Sequence, residues 1–213
     1  MKKTLRESLL LYGITCAGTE LTTLTRQVEE ALIGGATMIQ LREKTLDRAE
    51  YLRKALAVGA ICRRYGAPFI VDDSLEVALE SGADGLHVGQ DDVSVAEARA
   101  TLGDDKIVGV SAKTVDQALA AQESGADYLG VGAIYPTQTK ENPIMTSVER
   151  LKSICAAVRL PVVAIGGIKK DRLAPLRDSG ICGVAVVTGI FSAPDVRLAA
   201  SELRAAAEAL LLS

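Results

Sequence analysis

Gly35-Ala36-Thr37-Met38-Ile39-Gln40-Leu41-Arg42 decides the fold, because the chain repeats its pattern. It lines up with Gly82-Ala83-Asp84-Gly85-Leu86-His87-Val88-Gly89 and with Gly125-Ala126-Asp127-Tyr128-Leu129-Gly130-Val131-Gly132. It matches Gly180 to Val187 more loosely. Each copy opens on a glycine where a helix should end, the left-handed C′ position, and a strand follows. Strand side chains alternate between faces, so the alignment sorts them. Ile39 and Leu41, Leu86 and Val88, Leu129 and Val131, Val184 and Val186 form an apolar face that should pack under helices. Gln40 and Arg42, His87 and Gly89, Gly130 and Gly132, Ala185 and Val187 form the other face, which mixes polar with small residues.

Working outward, apolar runs alternate with amphipathic segments. The runs are Leu9–Ile14, Met38–Arg42, Pro68–Asp73, Gly85–Gly89, Ile107–Ser111, Tyr128–Tyr135, Val162–Gly167 and Gly183–Thr188. Helical segments are expected over 21–34, 46–65, 75–81, 93–101, 114–124, 146–158, 170–179 and 194–210. Leu52, Ala55, Leu56 and Ala60 form the apolar stripe of the second. Thr114 and Ser192 are the expected N-caps. Eight β-α units without a linker predict one α/β domain over 1–213. Its fold is a (β/α)8 TIM barrel with its active site at the C-terminal ends of the strands. A doubly wound open sheet is the alternative.

Composition agrees. The 213 residues are 48% hydrophobic and 24% charged, with 3% aromatics, no Trp and 19 Gly. Aliphatic residues must therefore fill the core, as in buried parallel strands. A net charge of −3 gives no global basic field for nucleic acid. The scattered Cys16, Cys62, Cys155 and Cys182 read as free thiols in a reducing compartment. No apolar run approaches a membrane span, and Leu9–Ile14 is too short for a signal sequence. A soluble cytoplasmic protein is expected, and a homo-oligomer is compatible with everything above.

The chemistry should sit at the strand ends. Gln40, Arg42 and Lys44 share a face and form a row suited to an anion, although Glu43 and Lys44 alone would read as a solvated loop. Asp72-Asp73 and Asp91-Asp92 follow the neighbouring strands. Asp92 precedes a helix and could cap it, yet acids beside a cationic row also suit Mg2+, which takes one or two carboxylates plus substrate phosphates. His87, the only histidine, reads as a hydrogen-bonded interior residue rather than a base. Ser111 has no nearby histidine, which argues against a hydrolase triad and for a hydroxyl donor to phosphate. Pro136 to Pro143 has the composition of a flap over a phosphorylated ligand. Ile165-Gly166-Gly167-Ile168 and Val187-Thr188-Gly189-Ile190 end the last two strands, where barrels often hold phosphate on backbone N–H groups. Two anion sites are expected, one cationic with Mg2+ and one of backbone amides.

Taken together, Gln40 to Lys44, Gly89-Gln90-Asp91-Asp92, Gly109-Val110-Ser111, Gly132 to Lys140, Ile165 to Ile168 and Val187 to Ile190 resemble the thiamine-phosphate synthase family. The motifs stand in family order over nearly the whole chain. The resemblance implies condensation of 4-amino-2-methyl-5-hydroxymethylpyrimidine diphosphate with hydroxyethylthiazole phosphate, giving thiamine phosphate and diphosphate. The pyrimidine–diphosphate bond would ionise first, and the thiazole nitrogen would capture the cation. By the same resemblance Arg42, Lys44 and Lys140 hold the diphosphate with Ser111, Asp73 and Asp92 bind Mg2+, and Gln40 meets the pyrimidine. Thr137, Thr139, Gly167, Val187 and Thr188 hold the thiazole phosphate. Two positions depart from the family pattern. Asp72 stands where the family commonly has Asn, which keeps it beside the substrate, a metal or a lysine. Lys113 stands where the family often has His, which weakens the reading as a thiazole tautomerase on the same fold. A non-catalytic thiazole-phosphate-binding regulator and a phosphate-binding barrel isomerase are the remaining alternatives. The first would need neither the cations nor the acids, and the second would need an acid–base pair at the mouth.

Overall fold

The computed structural model describes residues 4–137 and 145–211. The strands are β1 (Leu11–Ile14), β2 (Met38–Leu41), β3 (Phe69–Asp72), β4 (Gly85–Val88), β5 (Ile107–Ala112), β6 (Tyr128–Val131), β7 (Val162–Ile165) and β8 (Gly183–Val186). They close in sequence order into one parallel barrel, with β8 returning to β1. The α-helices are α1 (Leu5–Ser8), α2 (Leu21–Ile33), α3 (Arg48–Tyr65), α4 (Leu75–Ser81), α5 (Val95–Leu102), α6 (Val115–Glu123), α7 (Val148–Ala157), α8 (Thr188–Phe191) and α9 (Val196–Leu211). The closed barrel replaces the open-sheet alternative.

Sequence explains each turn from helix to strand. The glycines that open the repeats take positive φ, at 105° for Gly35, 65° for Gly82, 91° for Gly125 and 85° for Gly180. A side chain would strain there. Thr114 caps α6 as expected, accepting from the Gln117 N–H at 3.2 Å. Ser192 does not N-cap a helix: it is the C-cap of α8, and Asp195 takes the N-terminal role by accepting from the Leu198 N–H at 2.9 Å. Asp92 does not cap α5 either, because Ser94 stands at its N-cap.

Three expected elements differ. The sixth strand stops at Val131, short of Tyr135. Between β7 and β8 the structure has two short 3-10 turns, Lys170–Arg172 and Ala174–Leu176, where a helix over 170–179 was expected. Pro175 explains the break, because proline cannot donate to a continuing helix. The buried stripe of α3 is Tyr51, Lys54, Ala55, Val58 and Cys62, whereas Leu56 is 47% exposed. The apolar pattern misplaced this face because Lys54, a charge, is buried in it with a partner.

The two faces of the repeat separate as expected. Ile39, Leu41, Leu86, Val88, Leu129, Val131, Val184 and Val186 lie in the layer between strands and helices. Inside the barrel a smaller cluster holds Leu9, Tyr12, Ile14, Met38, Ile70, Tyr128, Val163 and Ala185. Gly109 makes room for it: a Cβ there would overlap the Tyr128 ring. The cysteines are free, with Cys62 buried and the others half-buried. Among the described residues no helix is long and apolar enough to cross a membrane.

Candidate active site

The cavity opens at the C-terminal ends of the strands. Its first arc comes from β2, β3 and the loop after β4. Parity along β2 aims Gln40 and Arg42 inward, and Lys44 follows in the loop. Lys44 contacts the Asp73 carboxylate directly and lies 3.2 Å from Asp72 Oδ2, while Arg42 Nε lies 3.8 Å from the same Asp72 oxygen. Burial is the largest influence on Lys44 and acts to lower its pKa; the charge of Asp72 and the contact with Asp73 outweigh it, so the net direction is upward. Asp72 is buried, which raises its carboxyl pKa against the lowering pull of Lys44 and Arg42.

Asp73 and Asp92 meet at this arc. Asp73 sits at φ 60°, which turns its side chain away from the path of β3. Asp92 Oδ2 accepts from the Gly89 N–H at 2.7 Å. Its carboxyl lies above the ordinary range, raised first by partial burial and further by the Asp73 carboxyl beside it. These are hard oxygen donors placed together against a cationic wall. Among the described residues no group of three or more side chains is disposed to hold a metal alone. The pair therefore fits Mg2+ in its usual protein role, with two carboxylates completed by substrate phosphate and water.

The second arc carries Gly166, Gly167, Val187 and Thr188, with Thr137 nearby. Gly167 has φ 62°, and a Cβ on it would come within 2.6 Å of the Pro136 carbonyl oxygen. The Tyr135 hydroxyl donates to the Arg172 carbonyl at 2.7 Å, and the Arg172 guanidinium lies 5.6 Å from the Tyr135 ring centre. The residue just before the expected flap is thus fastened to the loop after β7. Thr139 and Lys140 lie outside the described residues. Lys113 lines the cavity, and its backbone N–H donates to Gln117 Oε1 at 2.8 Å.

The floor is polar. Gln40 Nε2 donates to the Tyr12 hydroxyl at 2.9 Å, and the Tyr12 and Tyr128 hydroxyls are 2.8 Å apart. His87 Nδ1 lies 2.9 Å from the Tyr128 hydroxyl, and its Nε2 lies 3.0 Å from Ser111 Oγ. His87 is therefore the hydrogen-bonded interior residue expected, but it also stands beside Ser111, which sequence separation had hidden. No hydrolase triad results. The far nitrogen of His87 faces a phenol rather than a carboxylate, and burial pushes its pKa down to about 4.

Sequence reasoning missed four supporting residues. Tyr12 and Tyr128 build the floor. The Thr15 hydroxyl accepts from the Arg42 backbone N–H at 3.0 Å. Glu43, which read as part of a solvated loop, is buried: it accepts from Lys54 Nζ at 2.7 Å and from the Gly18 N–H at 2.8 Å. Tyr128 carried a usable signal, since it shares the parity of Gly130 and so had to face inward. The other three had none, because their partners are distant in sequence.

Known proteins resemble this chain over most of its length. The thiamine monophosphate synthase family model matches residues 11–190. The chain is 47% identical over 189 residues to the thiamine-phosphate synthase of Lacticaseibacillus paracasei, covering 89% of each. It is also 47% identical over 192 residues to thiamine-phosphate synthase 2 of Streptococcus pneumoniae, covering 90% of this chain and 91% of that one. The solved thiamine phosphate pyrophosphorylase from Pyrococcus furiosus superposes with a TM-score of 0.88 at 38% identity, over 98% of this chain and all of that one. The chain belongs to the thiamine monophosphate synthase family.

Proposed function

We propose that this chain is a cytoplasmic thiamine-phosphate synthase, working as one barrel domain. Its substrates would be two small phosphorylated molecules, the aminopyrimidine diphosphate and the thiazole phosphate. The observation that carries the reading is one cavity with two unlike arcs, a charged arc on β2–β4 and a glycine-lined arc on β7–β8. A binder of a single phosphate needs only one of them, which disfavours the regulator. The relatives at 47% identity, which are named thiamine-phosphate synthases, disfavour the tautomerase.

In the proposed reaction the C–O bond between the pyrimidine methylene and the diphosphate breaks, and the electron pair leaves with diphosphate. The thiazole nitrogen then supplies its lone pair to the methylene carbon. Neither step asks the protein for a nucleophile. The protein's task is to hold charge. Arg42 and Lys44 face the departing diphosphate, with Lys140 from the loop, and Ser111 offers a hydroxyl. Asp73 and Asp92 would hold Mg2+, which when bound offsets the negative charge of the leaving group. Gln40 meets the pyrimidine, with Asp72 beside it. Thr137, Thr139, Gly167, Val187 and Thr188 would hold the thiazole phosphate, which brings the acceptor nitrogen toward the reacting carbon.

Incubation with both substrates and Mg2+ should yield thiamine phosphate and diphosphate in equal amounts, and absence of product would overturn the reading. Lys44→Ala should lower kcat by about 10²–10³, the scale for one preorganised charge-stabilising donor. Full activity in that variant would remove Lys44 from its assigned role.

A further inference from the structure

The floor of the cavity is a single line of hydrogen bonds through the barrel interior. It runs from Gln40 on β2 to Tyr12 on β1, across the barrel to Tyr128 on β6, then to His87 on β4 and Ser111 on β5. Each phenol has one proton to give, and a neutral imidazole has one N–H and one bare nitrogen. If every buried phenol proton is to find its partner within the line, only two orders remain, all donors pointing one way or all pointing the other.

The two ends choose the same order. At the first end the Gln40 amide gives its Nε2–H to Tyr12. Tyr12 must then donate to Tyr128, Tyr128 to His87 Nδ1, and His87 Nε2–H to Ser111 Oγ. At the other end an anion beside Ser111 can only accept, so the hydroxyl proton must point into the cavity and Ser111 must accept from His87. This is the same direction. Its far consequence falls on Gln40. With the Nε2 committed to Tyr12, Oε1 is the atom that Gln40 has left for a ligand in the cavity it lines, and among the described residues it accepts no hydrogen bond.

We propose that Tyr12, Tyr128 and His87 are positioning residues that lock this one order, so that Gln40 meets its ligand as an acceptor and Ser111 meets its ligand as a donor. The line thereby selects a hydrogen-bond donor, such as an exocyclic amino group, at one end and an anion at the other. This rests on the proposed reaction for the identity of the two ligand groups, while the bond order itself does not.

His87 is the only histidine of the chain, so the untagged, 15N-labelled protein gives one imidazole signal. At pH 7 its Nε2 should report as the protonated, pyrrole-type nitrogen and Nδ1 as the bare, pyridine-type one, with inorganic diphosphate present or absent. A proton on Nδ1 would overturn the proposal whether or not the protein makes thiamine phosphate. In Tyr128→Phe the line is cut, and the two tautomers should mix; an unchanged single tautomer there would also overturn it. The kinetic counterpart uses the aminopyrimidine diphosphate and its analogue with hydrogen in place of the amino group. Tyr12→Phe frees the Gln40 amide to turn over, so the preference for the amino compound should fall about tenfold, the scale of one neutral hydrogen bond. Equal losses of kcat/KM on both compounds would mean a merely structural role and would overturn the inference. If Tyr12→Phe does not fold, Tyr128→Phe gives the same comparison.

Discussion

Single residues in the barrel interior show how burial sets protonation. His87 is buried, and its pKa lies at about 4, lowered chiefly by that burial. In the unfolded chain an ordinary histidine titrates near 6.5. Between those values the unfolded chain holds a proton that the folded one refuses. Stability from this group is therefore complete above about pH 6.5 and is lost as pH falls toward 4. Between pH 7 and pH 5 the loss should be about 2 kcal/mol. Urea unfolding at the two pH values measures it, and His87→Gln should remove most of that difference. The interior, hydrogen-bonded character of His87 was legible from parity along its strand. Its nearness to Ser111 was not, because parity fixes a face but says nothing of which side chains touch across a barrel.

Among the elements that form as expected, α3 presents a face its apolar pattern misplaces. Lys54 and Glu43 form an ion pair with both side chains buried, and Lys54 also donates to the Thr19 carbonyl oxygen at 2.7 Å. The pair ties three pieces together: the β1–α2 loop, the segment after β2 that carries Arg42 and Lys44, and the inner face of α3. Removing one partner strands the other charge out of water. Lys54→Met should cost about 3–5 kcal/mol, and the double change Lys54→Met with Glu43→Gln should recover part of it, because breaking such a pair is far worse than replacing it whole. Chemical denaturation of the single and double variants checks this. The centres of all eight strands were legible from apolar runs. The true face of α3 was not, since it depends on a tertiary partner, whereas the break after β7 carried a local signal in Pro175 that the apolar pattern alone passes over.

The barrel as a whole was legible because its sequence repeats, and the repeat also fixed which face looks inward. The cationic row on β2 and the acids on β3 and after β4 were brought together as the sequence implied, while Thr139 and Lys140 fall outside the described residues. The opposite end of the barrel carried no such signal. There Leu9 is fully buried in the interior cluster, with Leu5 of α1 packed against it. It closes the bottom as the polar floor closes the top. Leu9→Ala should destabilise the whole fold by about 2–5 kcal/mol, the range for a buried Leu truncation, and leave KM for both substrates nearly unchanged. Thermal unfolding beside steady-state kinetics separates the two effects.

The polar line has one more property. Its five side chains come from five strands, and every strand advances about 3.3 Å per residue. A strand that slipped by two residues would keep its apolar and polar faces correct, so hydrophobic packing alone would tolerate the error. It would nonetheless carry its polar group roughly 6.6 Å past its partner and strand a hydroxyl, amide or imidazole in the interior, at about 1–3 kcal/mol per group. The same five residues that line up across the cavity floor thus act as an internal gauge of how the barrel is threaded, rejecting closures that its greasy layers would accept.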